Sequence, residues 1–530
     1  MAKIPQKKTD AAPSFPSQDV TKDALARLAD ARAQKNEAEA DLREAYFFTR
    51  PRLSKDVKST SSTRRNRENE EAVDLATGIG SEVSEDFATE VVSAFFPQGT
   101  RWVESTIDES VAAELEAPEL ADLRKAAEDR DLKIFSAIKA SNFDAELGLA
   151  LDPDAAIGTI GLWVDKPRNT KPISVQHVPV RELEFNVEAD GTVGDRFRVR
   201  HVKASKLNSV IGNVKLPEAV AKKVKTTPNG RIEVVWGFWR DWSDIELDIW
   251  HHVLLVDKIA VHQTMLEGEG CLPLLVSRFS PDKEFAWGYG PAIKALQEFR
   301  VLDVITAATQ DRVDVALAPP LAYPDDGVMD FEGGIEAGKA YPMRPGSGRD
   351  IQKLYFEGDP DLGFYTATDL ERRIRRKFFA DYPEQKGDTP PTATQWIDEM
   401  VRAQRRIGTP GGKFWREGPY EIYRRFEYLL TKDGKIGPLE LDGREIPLVP
   451  NNPATQAQQN QKVQTANNLL SMFTGFFPQT SQAAIDERAT MDKLKKAVKD
   501  EIVVLRDEAE AAQLVNAVLN VADQTGMLQQ

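Results

Sequence analysis

Residues 288–318 read GYGPAIKALQEFRVLDVITAATQDRVDVALA, and this stretch decides the fold. Gly290-Pro291 predicts a sharp helix start, because a proline in the first helical turn loses no intrahelical hydrogen bond. Apolar residues then recur at helical spacing. No breaker follows before Pro319, so we expect a helix of about 27 residues, roughly 40 Å long. A small domain cannot cover such a helix. We therefore expect copies of the chain to pack together, through Leu296, Phe299, Leu302 and Ile305.

The helix is followed by a segment that Gly and Pro interrupt every few residues. Between residues 319 and 358 the chain contains PP, PDDG, GG and PGSG, which leave room only for short strands at 339–343 and 351–356. We interpret this segment as a compact module of loops and strands that separates two helices.

Helical spacing returns at residues 368–379, TDLERRIRRKFF, with Thr368 as the expected N-cap. Five of six consecutive positions are basic: Arg372, Arg373, Arg375, Arg376 and Lys377. Like charges four residues apart destabilise an isolated helix, so an anionic partner would offset a real cost. The alternative is a solvated face that pairs with neighbouring carboxylates. From residue 372 to 425 there are thirteen Lys/Arg and seven Asp/Glu, whereas the whole chain has a formal net charge of −15. The basic character is therefore local.

This order of parts resembles the portal, or head-to-tail connector, proteins of short-tailed bacteriophages. Three further motifs support the resemblance: DLATGI at 74–79 leading to VVSAFFPQGTRW at 91–102; SNF at 141–143 leading to AIGTIGLWV at 156–164; and GYG at 288–290 opening the helix. The chain departs from the family pattern at Thr159, where Asn is usual, and at Pro291, where Arg is usual. The resemblance covers roughly residues 31–430.

The resemblance implies an α+β portal fold that assembles as a ring of about twelve copies. Its parts would be an N-terminal arm (1–23), a wing of helices and mixed or antiparallel strands (24–287), stem helix 1 (288–317), a clip (318–360), stem helix 2 (361–383), a tunnel loop (384–391), a wing helix and return (392–450) and a crown (451–530).

The ring would be a channel at one capsid vertex of the virion, assembled in the host cytoplasm, through which double-stranded DNA is packaged and ejected. Implied partners are the terminase large subunit, tail adaptor and nozzle proteins, and the major capsid, scaffolding and internal core proteins. The clip would dock terminase and adaptor through Tyr323, Asp325, Asp326, Arg344 and Arg349.

The basic cluster cannot all face one way on a helix, since successive residues are rotated by about 100°. We expect two or three of the five residues to face DNA in the lumen and the others to pair with Asp or Glu of a neighbouring subunit. The tunnel loop, with Lys386, Gly387, Asp388 and Thr389, would ring the narrowest part of the channel and act as a valve.

The remaining sequence predicts an α+β body. Helices are expected at 24–46, 71–96 and 113–140, and from about 392, 461 and 485. Strands are expected at 160–164, 174–178, 197–202, 232–239, 245–250, 253–261 and 274–279, with a hairpin turn at 189–191.

The search for catalytic motifs finds no nucleophile elbow and no phosphate-binding loop, so we expect no enzyme and no cofactor. His251 and His252 point to opposite faces of a strand, which argues against a metal site. Four tryptophans, at 236, 239, 242 and 250, could form a base-stacking platform, but core packing is the favoured interpretation, with 239 and 242 able to face a neighbouring subunit. The single cysteine, Cys271, is expected to be buried, and no run of residues is apolar enough to span a membrane.

Two other classes stay open. One is a structural phage protein, such as a tail or scaffold component, that assembles without a central channel. The other is a nucleic-acid-processing enzyme whose basic helix clamps its substrate.

Overall fold

A computed structural model describes most of the first 450 residues and short parts of the remainder. The described residues are 16–56, 75–97, 99–107, 117–167, 172–212, 214–243, 248–282, 285–318, 321–324, 340–343, 352–353, 360–380, 406, 411–437, 440–441, 444–445, 447–450, 463, 465–472 and 490–491. The chain divides into two compact units, residues 1–450 and 451–530.

The first unit has long helices at its N-terminal end and in its second half. The α-helices are α1 (Gln18–Thr49), α2 (Ile79–Phe95), α3 (Ala117–Ala140), α4 (Phe143–Asp154), α5 (Leu207–Ile211), α6 (Glu218–Thr226), α7 (Pro291–Lys294), α8 (Leu296–Leu317), α9 (Pro360–Lys377), α10 (Gly412–Trp415) and α11 (Glu421–Lys432). A π-helical turn at Arg416–Tyr420 joins α10 to α11. Ser17 is the N-cap of helix α1, and its hydroxyl accepts a hydrogen bond from the Val20 N–H.

Two antiparallel sheets form the centre of this unit. The strands are β1 (Val103–Ser105), β2 (Thr159–Asp165), β3 (Ser174–Val178), β4 (Leu183–Val187), β5 (Val193–Lys203), β6 (Arg231–Arg240), β7 (Ile249–Val256), β8 (Ile259–Glu267), β9 (Leu274–Arg278), β10 (Leu321–Pro324), β11 (Ala340–Met343), β12 (Gln352–Lys353), β13 (Glu440–Leu441), β14 (Arg444–Glu445) and β15 (Leu448–Pro450). The sheet orders are β4-β5-β6-β7-β8 and β3-β2-β9.

Helices cover both faces of the five-stranded sheet. On one face, Ala24, Leu28 and Ala31 of α1 pack on apolar side chains of β5, β6 and β7. On the other face, Leu207 of α5 and Val220 of α6 pack on the alternate residues of the same strands. Strands β6 and β7 therefore bury apolar side chains on both faces, which explains their nearly continuous apolar sequences.

The predicted α+β architecture is confirmed, and most elements lie where the sequence places them. Strand β3 matches its predicted range, and the turn between β4 and β5 contains the predicted residues 189–191. The division of 245–261 is wrong, because a hairpin turn at Asp257-Lys258 separates β7 from β8. Both turn residues have positive φ, 52° and 65°. Neither is a glycine, so the sequence lacks the usual signal for this turn.

Two other boundaries differ from the prediction. Helix α9 begins at Pro360 rather than at Thr368, so Thr368 is an interior residue and not an N-cap. The long helix is interrupted at Ala295, whose N–H donates to both Pro291 O and Ala292 O, and this divides the predicted 27 residues into α7 and α8.

The segment between α8 and α9 contains three short strands. Strand β10 lies between β11, which is parallel to it, and β12, which is antiparallel. The predicted strand at 339–343 is found at β11, and the one at 351–356 is described only at β12. In the second unit, residues 465–472 are helical, and the other predicted crown helix residues lie largely outside the described part of the chain.

Candidate functional site

The start of the long helix is fixed by a close approach of two backbone segments. Gly290 N–H donates to Ile157 O and Ala292 N–H donates to Ala156 O, each at 2.9 Å. A Cβ atom on Gly288 would lie 1.9 Å from Gly158 O, and one on Gly290 would lie 2.3 Å from Ala156 O. Two of the motifs that carry the family resemblance are therefore one structural joint, in which only glycine leaves room for the neighbouring backbone.

Thr159 completes this joint. Its side chain is fully buried, and its Oγ1 accepts from Gly288 N–H at 2.8 Å. The position that departs from the family pattern thus retains a side-chain acceptor for a buried N–H, which would otherwise be unpaired. Pro291, the other departure, occupies the first turn of α7 as predicted.

Side-chain hydrogen bonds position the segments that contain the other motifs. Asp303 of α8 accepts from Ala76 N–H at 2.8 Å and from Thr77 N–H at 3.3 Å, which ties the segment before α2 to the long helix. The Asn142 side chain both donates to Val175 O and accepts from Val175 N–H, at 2.8 Å each. It thereby satisfies the outer edge of β3.

Helices α8 and α9 are paired, and an aromatic cluster anchors the end nearest the body. Phe299 stacks on Phe48 of α1 at 5.2 Å and meets Phe378 edge-on at 6.0 Å. Phe87 of α2 contacts Phe378 and Phe379. From Ala308 onward nearly every described side chain of α8 is exposed in the protomer. The helix pair is therefore packed against the body at one end, and the side chains at the other end of α8 are exposed.

Residues of the basic cluster are held by groups of their own chain. Arg373 pairs with Asp369 at 2.8 Å, and Arg375 pairs with Glu82 of α2 at 2.9 Å. Lys377 donates to Lys294 O at 2.7 Å and forms an ion pair with Glu298 of α8. These partners lie in the same chain, which corrects the expectation of partners in a neighbouring subunit. Arg372 and Arg376 are exposed and lie one helical turn apart.

The proposed subunit-contact residues require a correction. Leu296, Phe299 and Leu302 are 6%, 0% and 0% exposed, and all three belong to the core of their own protomer. A side chain that its own chain already buries cannot contribute new contact area to another subunit. Ile305 is half-buried. The exposed apolar residues of α8 near the body are Val301 and Val304, 49% and 69% exposed, on the side opposite Phe299 and Leu302.

The four tryptophans and His252 differ in how far they are buried. Trp239 and Trp250 are buried, so Trp239 faces α1 and not a neighbouring subunit; Trp242 is 51% exposed beneath Arg240. Trp236 is half-buried. Burial lowers the pKa of His252 to about 4, so this histidine is neutral near pH 7. No group of three or more potential metal ligands occurs among the described residues.

Cys271 is buried, as expected, and burial raises the pKa of its thiol to about 12. None of the helices in the described ranges is long and apolar enough to cross a membrane.

The tunnel-loop residues Lys386, Gly387, Asp388 and Thr389 lie outside the described residues, as do the clip residues Asp325, Asp326, Arg344 and Arg349. Tyr323 lies in β10, and its side chain is also outside the description.

The structure thus combines an α+β body with a pair of helices, α8 and α9, whose start is joined to the body by backbone contacts that only glycine permits. The family of bacteriophage head-to-tail connecting proteins matches residues 21–499. The chain belongs to this family, and it is therefore a structural component of a phage-type particle. No curated protein matches the chain.

Three of the solved structures that match the chain are of gene transfer agent particles. The virion of a native particle matches with 11% identity and a TM-score of 0.34, covering 74% of this chain and 86% of that one. The neck of an empty particle, computed with C6 symmetry, matches with 12% identity and a TM-score of 0.34, covering 79% and 90%. The neck of a native particle, computed with C12 symmetry, matches with 13% identity and a TM-score of 0.30, covering 71% and 87%.

Proposed function

We propose that about twelve copies of this chain form a ring at one capsid vertex, and that DNA is packaged and ejected through its central channel. The observation that carries the proposal is the pair Arg372 and Arg376. Both side chains are exposed on α9 and lie one helical turn apart, so both can face the solvent on the same side of the helix. Two cations per subunit would make a narrow basic band around the channel.

Electrostatics favours a narrow band over a basic lumen. Duplex DNA carries one charge per ~1.7 Å of axis, so a strongly attractive wall would hold it and a strongly repulsive wall would exclude it. The chain has a net charge of −15, and Asp311 and Asp314 are exposed on the outer half of α8. A mostly acidic wall with one basic band allows DNA to pass and still be gripped briefly.

The ring would close through α8. Val301, Val304 and Ala308 are exposed and share one side of this helix, opposite the side that the protomer buries. A helix that is apolar on two sides is typical of one that is buried on two sides. We therefore assign the contact with the neighbouring subunit to this second side, in place of Leu296, Phe299 and Leu302.

The remaining assignments rest on the sequence and the family. We propose that 318–360 is the clip that docks the terminase large subunit during packaging and the tail adaptor and nozzle afterwards. Residues 384–391 would be the tunnel loop, with Lys386 contacting phosphates. The wing would face major capsid, scaffolding and internal core proteins, and the chain would have no catalytic activity of its own.

Charge reversal at the proposed band tests the function. The double variant Arg372→Glu/Arg376→Glu should assemble normally but reduce severalfold the fraction of particles that hold a full genome, because about twelve weak contacts act together. The control is Lys222→Glu/Lys225→Glu, which reverses two exposed cations on α6. Full genomes at the wild-type level in the first variant would contradict the proposal, and so would an equal loss in the control.

A further inference from the structure

A cavity of about 960 Å³ lies within the body, away from the helix pair α8 and α9. It opens between the two antiparallel sheets and is closed on one side by α11. Its volume is at the upper end of the range for small-molecule sites, which is about 300–1,000 Å³. The subunit contacts and the DNA band assigned above do not use it.

One wall of the cavity is aromatic. Trp163 of β2 contacts Trp236 edge-on at 6.0 Å and Phe238 at 5.8 Å. His252 stacks on Phe238 at 4.7 Å with the two rings nearly parallel. Trp163 and Trp236 are only half-buried, so part of each ring faces the open volume. Tyr428 of α11 also lines the cavity.

The cavity also concentrates positive charge. Among the described residues that line it are four cations, Arg198, Arg200, Arg425 and Lys432, and one carboxylate, Asp165. Glu182, which is not part of the lining, pairs with Arg198 at 3.2 Å and with Arg200 at 3.5 Å and offsets part of this charge.

The four cations have different roles. Arg425 donates to Val164 O, Gly270 O and Cys271 O, so it builds the wall. Arg198 is held by Glu182 and Gln176 and lies over the Trp163 ring at 5.4 Å. The Arg200 side chain is 38% exposed and Lys432 is exposed, so these two can reach a ligand that enters from solvent.

We propose that this cavity binds a nucleotide, with its base against Trp163 and Trp236 and its phosphate between Arg200 and Lys432. Flat aromatic surface next to solvent-accessible cations is a combination that proteins use for bases joined to phosphates, and it places no demand on the base sequence. The ligand is either a free nucleotide or an unpaired nucleotide of a strand, because both present the same ring and phosphate. An acidic peptide would use the cations but not the solvent-facing parts of the two indole rings.

The test uses the full chain and two probes, dAMP and a fluorescent single-stranded oligonucleotide of about ten residues, whose binding is measured by equilibrium dialysis and by anisotropy. Arg200→Glu/Lys432→Glu should weaken binding at least about tenfold, since it replaces two attractions with two repulsions. Trp163→Leu should weaken it by about five- to 150-fold, which is the typical contribution of one stacked base.

The matched control is Lys203→Glu/Lys435→Glu. Both residues are exposed and each lies three positions from a proposed ligand contact, outside the cavity lining. This control should bind both probes as the wild type does. Thermal melting of each variant separates loss of the site from loss of the fold. If Trp163→Leu has a lower melting temperature than the wild type, the proposal is judged on the loss of binding in Arg200→Glu/Lys432→Glu.

The two probes distinguish the sources. Binding of dAMP identifies a free nucleotide, and binding of the oligonucleotide alone identifies a strand; either result supports the proposal if it depends on the cations and on Trp163. The proposal is overturned if neither probe binds at about 10 mM dAMP or about 0.1 mM oligonucleotide. It is also overturned if inorganic phosphate or a glutamate-rich peptide binds as tightly as the better probe.

Discussion

At the scale of single residues, the joint between 156–159 and 288–292 explains why particular side chains occur in the family motifs. Gly158, Gly288 and Gly290 allow two backbones to approach within hydrogen-bonding distance, and Thr159 supplies the acceptor that Gly288 N–H needs. The sequence marks these glycines as notable, but it cannot show that they meet, since about 130 positions separate them along the chain. Contacts so distant in sequence depend on the whole fold.

Gly288→Ala should therefore be strongly destabilising. Its Cβ would lie 1.9 Å from a backbone oxygen, which cannot move without breaking the neighbouring hydrogen bonds. We expect a loss of about 3 kcal/mol or more in the free energy of unfolding, measured by denaturant titration. Gly148→Ala is the control, because Gly148 is an exposed residue of α4, nothing lies within 4 Å of the new methyl group, and alanine favours a helix. Equal stability of the two variants would contradict this account of the joint.

Glu233 gives the body a defined acid sensitivity. The neighbouring His201 and Arg32 hold the pKa of Glu233 down to about 2, against its usual 4.5. A carboxylate with a lowered pKa in the folded state stabilises the fold above its unfolded pKa, and this stability is lost as the pH falls from about 4.5 towards 2.

The matched variant isolates this contribution. Between about pH 5 and pH 2.5, the wild type should lose roughly 2 kcal/mol more of unfolding free energy than Glu233→Gln. Glu218→Gln changes an exposed carboxylate of α6 and should follow the wild type. Chemical denaturation at a series of pH values measures the difference, and parallel curves for wild type and Glu233→Gln would show that Glu233 is not responsible.

At the scale of elements, periodicity predicted most helices and strands, because burial of one or two faces makes apolar residues recur at a helical or strand spacing in the sequence. It did not show which apolar side of α8 faces the protomer. Leu302 and Val304 are both apolar and close in sequence, yet Leu302 is fully buried and Val304 is 69% exposed. That distinction depends on where α1 and α9 pack, and nothing local to α8 encodes it.

Two aspartate substitutions on α8 should therefore have different effects. Leu302→Asp should unfold the protomer, because it buries an unpaired charge among aromatic side chains. Val304→Asp should leave the protomer folded and prevent assembly, because its charge would lie in the proposed subunit contact. Gln310→Asp places the same charge at an exposed position of the same helix and should assemble. Circular dichroism reports folding, and mass photometry reports assembly. Normal assembly of Val304→Asp would remove this side of α8 from the interface.

At the scale of the whole molecule, the chain is acidic overall and carries a local basic cluster, which is the charge pattern that the proposed channel requires. Arg375 and Lys377 fasten α9 to other helices through Glu82 and Glu298, and Arg373 pairs with Asp369 within α9. The sequence located the cluster, but it could not show which of its members pair with carboxylates of the folded chain. That pairing depends on which carboxylates the folded chain brings near, and two of them come from other helices.

The central claim is that subunits close into a ring with α8 and α9 around a channel, and one measurement tests it directly. Electron cryomicroscopy of the purified full chain should give end-on rings of about twelve subunits, with a central opening wide enough for a DNA duplex and Arg372 and Arg376 facing that opening. Particles without a central opening would contradict the claim. So would a chain that stays monomeric at micromolar concentration, or rings in which these two arginines face outward.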